Sequence, residues 1–257
     1  MISKNKIKYI HSLEQKKYRV REGVFVAEGY KIVGDMLPFF DCTYIAATSQ
    51  WLEQNQTAIN RHAQNAEIDE VTEEELRKAS LLESPQQVLA IFTQPHTQAS
   101  IDSIANTNLC IALDDVQNPG NLGTIIRLAD WFGIEHIFCS KNCADVYNPK
   151  TIQSTMGALA HVSVHYVDLP EALKSISGSC PIYGTFLDGE NMYTKQLSAN
   201  GVIVMGNEGK GVSKDVESLV DEKLFIPNYP EGRVTSESLN VAIATAVVCS
   251  EFRRRIS

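Results

Sequence analysis

The stretch NPGNLGTIIRLADWFG, residues 118–133, decides how the rest of the sequence is interpreted. Five of its first six residues are Asn, Pro or Gly, and an amphipathic run with Arg127 near its middle follows. The preceding run, LCIALDDV (109–116), is nearly continuously apolar, which is typical of a strand buried on both faces. We therefore predict a buried strand, a tight turn and a helix over about residues 121–132, with a cation about one turn into the helix.

Strands and helices alternate along the second half of the chain. Apolar runs predict strands at residues 134–140, 162–168, 181–187, 202–206 and 223–227, and the patterns between them predict helices at about 149–160, 169–177, 213–220 and 238–256. Such alternation is typical of a mostly parallel sheet with helices on both faces. The predicted fold class is therefore α/β.

The N-terminal third has the pattern of a smaller α/β unit. Apolar runs predict strands at 24–29, 43–48 and 87–94, with helices between them, and Thr72 with Glu75 forms a capping-box pattern. Residues 95–108 then interrupt the apolar rhythm. The expected organisation is a domain over residues 1–96, a linker over 97–107 and a second domain over 108–257.

The composition is that of an ordinary globular protein. Of 257 residues, 44% are hydrophobic and 21% charged, and no apolar run approaches the length of a membrane-spanning helix. The N-terminal stretch has no apolar signal core, so we expect a cytoplasmic protein with no membrane partner. Cysteines in the apolar runs are expected to be reduced core thiols. Cys139 and Cys143 have no second pair at zinc-like spacing, so no structural metal is expected.

The net charge of −8, taken alone, argues against a nucleic-acid binder. The charge is nevertheless uneven, because residues 1–23 carry seven basic and two acidic side chains, a net charge of +5 that leaves −13 on the remainder. The basic side chains are Lys4, Lys6, Lys8, Lys16, Lys17, Arg19 and Arg21. This segment is either a polyanion-binding arm or a solvated helix, and charge alone does not separate the two.

Three loops rich in Gly, Asn and Ser follow predicted strands. They are QNPGNLG (117–123), GNEGKG (206–211) and IPNYPEGRVTSESLN (226–240). In an open α/β sheet, ligands bind beyond the carboxyl ends of the strands. Any one of these loops could be only a tight turn, because Gly serves wherever φ is positive. Three such loops in one domain, each with polar side chains, indicate a single site.

Several ligand classes do not fit these loops. A dinucleotide site needs G-x-G-x-x-G and an acidic residue after the next strand, and the sequence has neither. A phosphate-binding P-loop needs Ser or Thr after its Lys, whereas Gly211 follows Lys210. The six His are dispersed, and no Ser-His-Asp or Cys-His arrangement can be assigned. The predicted site is therefore glycine-rich, metal-free and provided with one Arg.

The loops carry a family resemblance. NPGNLGTIIRLADWFG, VIVMGNEGKGVS (202–213) and SLNVAIATAVV (238–248) resemble the three motifs of the SpoU/TrmH class of SPOUT RNA methyltransferases. YRVREGVFVAEGYKIVGDML (18–37) and ESPQQVLAIF (83–92) are similar to the ribosomal-protein-like substrate-binding domain that often precedes that catalytic domain. Nearly the whole chain is covered by the resemblance.

The resemblance implies methylation of a ribose 2′-hydroxyl in rRNA or tRNA, with S-adenosyl-methionine as the cofactor. It also implies a trefoil knot in the C-terminal part and a homodimer with the active site near the subunit interface. The alternative is a non-catalytic RNA-binding or ribosome-assembly factor that retains the fold. A nucleotide-binding oxidoreductase is disfavoured by the missing dinucleotide fingerprint.

The resemblance also assigns site residues. The implied catalytic residues are Arg127, Asn121, Glu208, Ser238 and Asn240, and the implied cofactor-binding residues are Met205, Gly206, Gly209, Gly211, Ile226, Pro227 and Leu239. Arg127 is expected to orient the hydroxyl and stabilise the developing alkoxide, since a guanidinium is essentially never neutral. Asn121 and Ser238 are also candidate helix caps. Glu208 is expected to position Arg127 or a backbone amide, and Gly209 and Gly211 are expected to require positive φ.

Two departures from the family pattern stand out. The stretch between Pro227 and Ser238 is longer than usual and contains Tyr229, Pro230, Glu231 and Arg233, so the cofactor lid is expected to differ in shape. The substrate-binding domain usually has Gly after its Pro-Gln, where this chain has Gln87. This second departure concerns the identity of the substrate more than the chemistry.

Overall fold

The computed structural model describes residues 2–95, 99–230, 233 and 238–255. The chain divides into two compact units, one of residues 1–96 with 145–160 and the other of residues 97–144 with 161–257. The strands are β1 (Val24–Glu28), β2 (Cys42–Ala47), β3 (Glu67–Glu70), β4 (Val88–Thr93), β5 (Leu109–Leu113), β6 (His136–Ser140), β7 (Ser163–Val167), β8 (Ile182–Asn191), β9 (Gly201–Met205) and β10 (Glu222–Phe225). The helices are α1 (Lys4–Ser12), α2 (Lys16–Glu22), α3 (Tyr30–Met36), α4 (Ser49–His62), α5 (Glu73–Ala79), α6 (Ile101–Ala105), α7 (Pro119–Trp131), α8 (Pro149–Thr155), α9 (Leu169–Ile176), α10 (Lys214–Glu217) and α11 (Val241–Arg254).

The first unit contains a four-stranded sheet in the order β1-β4-β2-β3. β4 runs antiparallel to both of its neighbours, whereas β2 and β3 are parallel. The sequence predicts β1, β2 and β4 but misses β3, because EIDE has no apolar alternation. As the last strand in the order, β3 has one strand neighbour, and its Ile68 stays 42% exposed. The predicted capping box at the start of α5 is confirmed, with Thr72 and Glu75 each accepting the other's backbone N–H.

Gln87 adopts a left-handed backbone conformation, with φ of 58°. This region of φ and ψ suits Gly, because a side chain there costs about 1–2 kcal/mol. The backbone carbonyl of Gln87 accepts the N–H of Thr48 at 2.9 Å, which fixes the turn before β4. This backbone conformation therefore explains why the family pattern has Gly at the position that Gln87 occupies in this chain.

Arg19 lies in the core of the first unit and is only 1% exposed. Its guanidinium donates to the carbonyls of Leu13 and Glu14 at 2.8 and 2.7 Å, and to Asp145 Oδ2 at 2.5 Å. Arg19 is therefore one of the seven basic side chains of residues 1–23 that is not available to RNA phosphates. Its charge is used inside the protein, where it joins α2 to the segment that precedes α8.

The second unit contains a six-stranded sheet in the order β10-β8-β9-β5-β6-β7. Every pairing within it is parallel, as the alternation of strands and helices predicts. α7 packs with α11, while α6 and α10 pack with α9. Because all six strands run the same way, the loops after β5, β9 and β10 leave from one edge of the sheet.

The expected linker is not structureless over its described part. Residues Ile101–Ala105 form α6, and Ile101 and Ala105 are buried in the core cluster of the second unit. This helix could not be predicted from the sequence, because its apolar pattern is short and lies between polar residues. Three of the predicted helices are shorter than expected: α8 ends at Thr155, α10 spans only Lys214–Glu217 and α11 begins at Val241.

All six cysteines are buried and free of disulfides. No helix over the described part of the chain is long and apolar enough to cross a membrane. The cytoplasmic location expected from the sequence stays a prediction.

The buried Arg19 gives a stability test. Arg19→Met leaves Asp145 Oδ2 and the carbonyls of Leu13 and Glu14 without the Arg19 donor, and removing one partner of a buried ion pair typically costs about 3–5 kcal/mol. Arg21→Met is the matched control, because Arg21 is 67% exposed in its pair with Glu22 and such pairs contribute about 0–1 kcal/mol. Urea unfolding followed by fluorescence measures the difference, since Trp51 is 1% exposed and Trp131 already 83% exposed. Equal midpoints for the two variants would contradict the role of Arg19.

Candidate active site

The first loop at the carboxyl edge of the large sheet is fixed by Asn118. The Asn118 side chain accepts the backbone N–H groups of Gly120 and Asn121 at 2.8 and 3.2 Å and so caps α7, whose first residue is Pro119. The interpretation of Asn121 as the helix cap is therefore wrong. Because Asn118 performs this structural task, the Asn121 side chain is free for other contacts.

Asn121 joins the three loops. Its Nδ2 donates to Glu208 Oε1 at 2.5 Å, and its Oδ1 accepts the Nδ2 of Asn240 at 3.1 Å. Asn240 also caps α11, because its Oδ1 accepts the N–H groups of Ala242 and Ile243, so the cap is Asn240 and not Ser238. One hydrogen-bonded path thus connects the loops after β5 and β9 with the start of the last helix.

The glycines of the loop at residues 206–211 differ in the space that surrounds them. A Cβ at Gly206 would lie 2.4 Å from the carbonyl carbon of Gly211 and from the nitrogen of Val212. Gly211 has φ of 70°, as predicted, but Gly209 is not among the glycines with positive φ, so that part of the prediction is wrong. A Cβ at Gly209 would meet only Asn207 Oδ1, at 3.7 Å. Gly206 is therefore the position at which the backbone packing most strictly requires Gly.

The residues assigned to the cofactor differ in accessibility. Met205 is only 1% exposed, and its carbonyl accepts the N–H of Asp114, so it belongs to the sheet core. Gly209 and Gly211 are exposed, Ile226 and Pro227 are half-buried, and Leu239 is 49% exposed. The loops at this edge therefore carry both exposed glycines and accessible apolar side chains. Glu231, one of the residues of the expected lid, lies outside the described residues.

Arg127 is exposed on α7, six residues after Asn121. Six residues turn an α-helix by about 240° beyond one full turn, so the two side chains leave different faces. Arg127 instead shares a face with Thr124 and Trp131, three residues before and four after it. Arg127 has no ion-pair partner among the residues that the structure describes, and Glu208 contacts the amide of Asn121. The expected pairing of Glu208 with Arg127 is therefore not seen. Ser238, the remaining residue with an implied catalytic role, is exposed.

Sequence reasoning missed Asp114, Asp115 and Asn207. The Asp114 carboxylate accepts the backbone N–H of Ser213, and Asn207 donates to the Asp115 carbonyl. The sequence signals that could have identified them are the paired acids at the end of an apolar strand and the Asn inside a glycine-rich turn. Neither signal predicts which backbone group each of these residues contacts.

Comparison with known proteins assigns the family. Residues 108–250 match the SpoU rRNA methylase family, and residues 4–90 match the MRM3-like substrate binding domain. The chain belongs to the SpoU rRNA methylase family. The SpoU match includes residues 145–160, although the structure groups this segment with the first unit.

Individual relatives of this SpoU-family chain cover nearly its whole length. It is 29% identical to the 23S rRNA (guanosine(2553)-2′-O)-methyltransferase RlmP of Bacillus subtilis, over 96% of each chain. A TrmH-family protein from Porphyromonas gingivalis is 39% identical, with a TM-score of 0.88 over 99% of each chain. The rRNA methyltransferase from Sinorhizobium meliloti with bound AdoMet is 27% identical, with a TM-score of 0.87 over 100% of this chain and 97% of that one. These similarities confirm the α/β methyltransferase fold that the motifs imply.

The steric difference between two glycines of the same loop can be tested directly. Gly206→Ala forces a Cβ against the backbone of Gly211 and Val212 and should destabilise the protein by about 1–3 kcal/mol. Gly209→Ala meets open space and should leave stability unchanged or raise it by up to about 1 kcal/mol. Thermal unfolding, with hydrogen exchange of the amides in residues 206–212, measures both effects. Destabilisation by Gly209→Ala equal to that of Gly206→Ala would show that the packing around Gly206 is not the constraint.

Proposed function

We propose that this chain transfers a methyl group from S-adenosyl-methionine to a ribose 2′-hydroxyl of rRNA or tRNA. The observation that carries the proposal is the path from Asn240 through Asn121 to Glu208, which joins three motif loops at the carboxyl edge of the sheet. Membership of the SpoU rRNA methylase family supports the reaction class. The match to a substrate binding domain over residues 4–90 supports an RNA substrate.

The loops fit S-adenosyl-methionine chemically. The adenine ring needs apolar surface, which the half-buried Ile226 and the partly exposed Leu239 offer. The polar groups of the cofactor need backbone partners, which the exposed Gly209 and Gly211 would offer through their carbonyl oxygens, since both of their N–H groups donate to Asn207. These residues, with Gly206 and Pro227, would hold the cofactor. When bound, it supplies an electrophilic methyl group on a positively charged sulfur.

Arg127 would act on the acceptor ribose. Its guanidinium can bind the 2′-oxygen and a neighbouring phosphate with two parallel N–H donors. A positive charge beside the 2′-oxygen would stabilise the negative charge that develops there as the hydroxyl proton passes to solvent. Asn121, Glu208 and Asn240 would hold the loops in the geometry that this contact requires, and Ser238 lies exposed in the same motif.

We also propose a homodimer in which a second copy covers α7 and α11. These helices pack on each other and still expose large apolar side chains, Trp131 at 83% and Ile243 at 55%. Large apolar side chains left exposed on adjacent helices are typical of interfaces. The exposed Arg127 lies on α7, so the interface would form beside it. We further propose that the loops at residues 206–211 and 226–240 form the trefoil knot that the family resemblance implies.

The role of Arg127 predicts a selective loss of methyl transfer. Arg127→Ala should lower the rate at saturating S-adenosyl-methionine by at least about 100-fold, because a transition-state contact is lost. Arg127→Lys should restore little, since an ammonium lacks the planar fork. Calorimetry should show unchanged S-adenosyl-methionine affinity for both variants and no binding of NAD. Lys174→Ala, at an exposed cation on α9, should keep full activity. Transfer by Arg127→Ala within a few-fold of the unmodified protein would contradict the role.

The basic N-terminal segment predicts part of the salt dependence of RNA binding. Lys6 pairs with Glu67 at 2.6 Å and Arg19 is buried, so the exposed lysines of α1 and α2 remain as candidates. The test variant replaces Lys8, Lys16 and Lys17 by Gln, and the control replaces Lys78, Lys141 and Lys174 by Gln. If the first set contacts phosphates, the slope of log K against log salt should fall by about 0.7–0.9 per contact. Deleting residues 1–8 is a poorer test, because it also removes the buried Ile2.

Three outcomes follow from this comparison. A smaller slope for the test variant alone supports an RNA-binding segment. Equal slopes for both variants and the unmodified protein show that α1 and α2 carry a solvated charge. A reduced slope for both variants shows that binding follows total charge.

The proposed interface predicts an oligomeric state. Light scattering at micromolar concentration should give twice the chain mass of 28.5 kDa. Trp131→Glu with Ile243→Glu places charges on the covered faces and should give the monomer mass. Leu187→Glu is the control, because Leu187 is 72% exposed on β8 and lies on neither helix. A monomer mass for the unmodified protein would contradict the interface.

A further inference from the structure

The end of β5 is tied to the loop after β9 by two consecutive aspartates. Asp114 is only 6% exposed, and its Oδ2 accepts the backbone N–H of Ser213 at 2.7 Å. Its own N–H donates to the Met205 carbonyl at 2.9 Å and extends the ladder between β5 and β9. A buried carboxylate that accepts a backbone N–H makes a strong, charge-assisted hydrogen bond. Asp114 thus fixes Ser213, two residues beyond the loop at residues 206–211.

Asp115 contributes its backbone. Its φ is 63°, a left-handed conformation that costs a non-glycine residue about 1–2 kcal/mol. In this conformation its N–H donates to Ser140 Oγ at 2.9 Å, and its carbonyl accepts the Asn207 Nδ2 at 2.8 Å. Strained backbone persists where the surrounding contacts determine it, and such positions cluster at functional sites.

Asn207 holds the near end of the same loop. Its Oδ1 accepts the N–H groups of Gly209 and Lys210 at 2.9 and 3.0 Å. Its backbone exchanges two hydrogen bonds with Gly211, each of 2.9 Å. One side chain therefore closes the loop on itself through its oxygen and ties the loop to Asp115 through its nitrogen.

We infer that Asn207, with the Asp115 carbonyl and the Asp114 carboxylate, forms a positioning group for S-adenosyl-methionine binding. The inference rests on the proposed function, because it takes the loop at residues 206–211 as part of the cofactor site. Glu208 follows Asn207 directly, and Asn121 lies in the first turn of α7, which residues 114–118 connect to β5. Two ties, from the Asn207 amide to the Asp115 carbonyl and from the Ser213 N–H to the Asp114 carboxylate, hold the loop backbone against the end of β5, whereas the hydrogen bond between Asn121 and Glu208 uses other side-chain atoms.

The variant Asn207→Asp removes only the hydrogen bond from the Asn207 amide to the Asp115 carbonyl. The carboxylate keeps an oxygen for Gly209 and Lys210 but loses the N–H donor and places a negative charge against the Asp115 carbonyl. The KM and the calorimetric Kd for S-adenosyl-methionine should rise about tenfold to a hundredfold, since an unsatisfied polar group opposes the bound arrangement. The kcat at saturating cofactor should stay within a few-fold, and RNA affinity should not change. A purely structural role would not separate KM from kcat in this way.

Asn200→Asp is the matched control. The Asn200 Nδ2 donates to the carbonyl of Asn106 at 2.9 Å, and Asn200 lies at the opposite, amino end of β9. The same amide-to-carboxylate change there should lower the melting temperature to a similar extent while leaving S-adenosyl-methionine affinity unchanged. Asp115→Gly should also bind normally, because the tie uses the backbone carbonyl and Gly suits the left-handed conformation.

The outcomes separate this inference from the proposed function. If the unmodified protein binds no S-adenosyl-methionine, the proposed function fails. If the unmodified protein binds and Asn207→Asp binds equally well, the function stands and the positioning role is wrong. Equal losses of affinity in Asn207→Asp and Asn200→Asp would also overturn the positioning role. Should Asn207→Asp not fold, Asp114→Ala breaks the second tie and carries the same expectation for KM and kcat.

Discussion

The side-chain amide of Asn121 is the contact on which the candidate site depends. It donates to Glu208 and accepts from Asn240, so three loops distant in sequence meet at one residue. This is possible because Asn118 caps α7 in its place and because the strands before the first two loops, β5 and β9, are neighbours in a parallel sheet. Without Asn121, Glu208 and Asn240 would lose their common hydrogen-bonding partner.

The large sheet could be predicted from sequence because its strands are nearly continuous apolar runs between helical patterns. The meeting of the three loops at one edge follows from the same parallel order. The helix α6 was missed because five residues give too short an apolar pattern to identify, and β3 was missed because its sequence, EIDE, is polar. Apolar periodicity thus predicts the strands that carry an apolar run, including the edge strands β1, β7 and β10, and misses elements that are polar or carry too short a pattern.

Contacts between side chains and distant backbone groups could not be predicted. The acceptors for Asn207 and Asp114 are backbone groups whose positions depend on the finished fold. For the same reason Gly206, and not Gly209, is the glycine of the loop at residues 206–211 whose Cβ is excluded by neighbouring backbone. Arg19 illustrates the limit of charge counting, since a basic residue of a basic segment is fully buried against Asp145. Family resemblance supplied the candidate residues, and the structure supplied the reason that several of them lie together.

The central claim, methylation of ribose at the 2′-oxygen, is tested most directly on the product. Purified protein and S-adenosyl-methionine with a labelled methyl group are incubated with RNA from cells that lack the gene. The RNA is then digested to nucleosides and analysed by mass spectrometry. The proposed chemistry predicts the label in the ribose fragment of a single nucleoside, at a linkage that resists alkaline hydrolysis. Label on a base, or no label although the protein binds S-adenosyl-methionine and RNA, would contradict it.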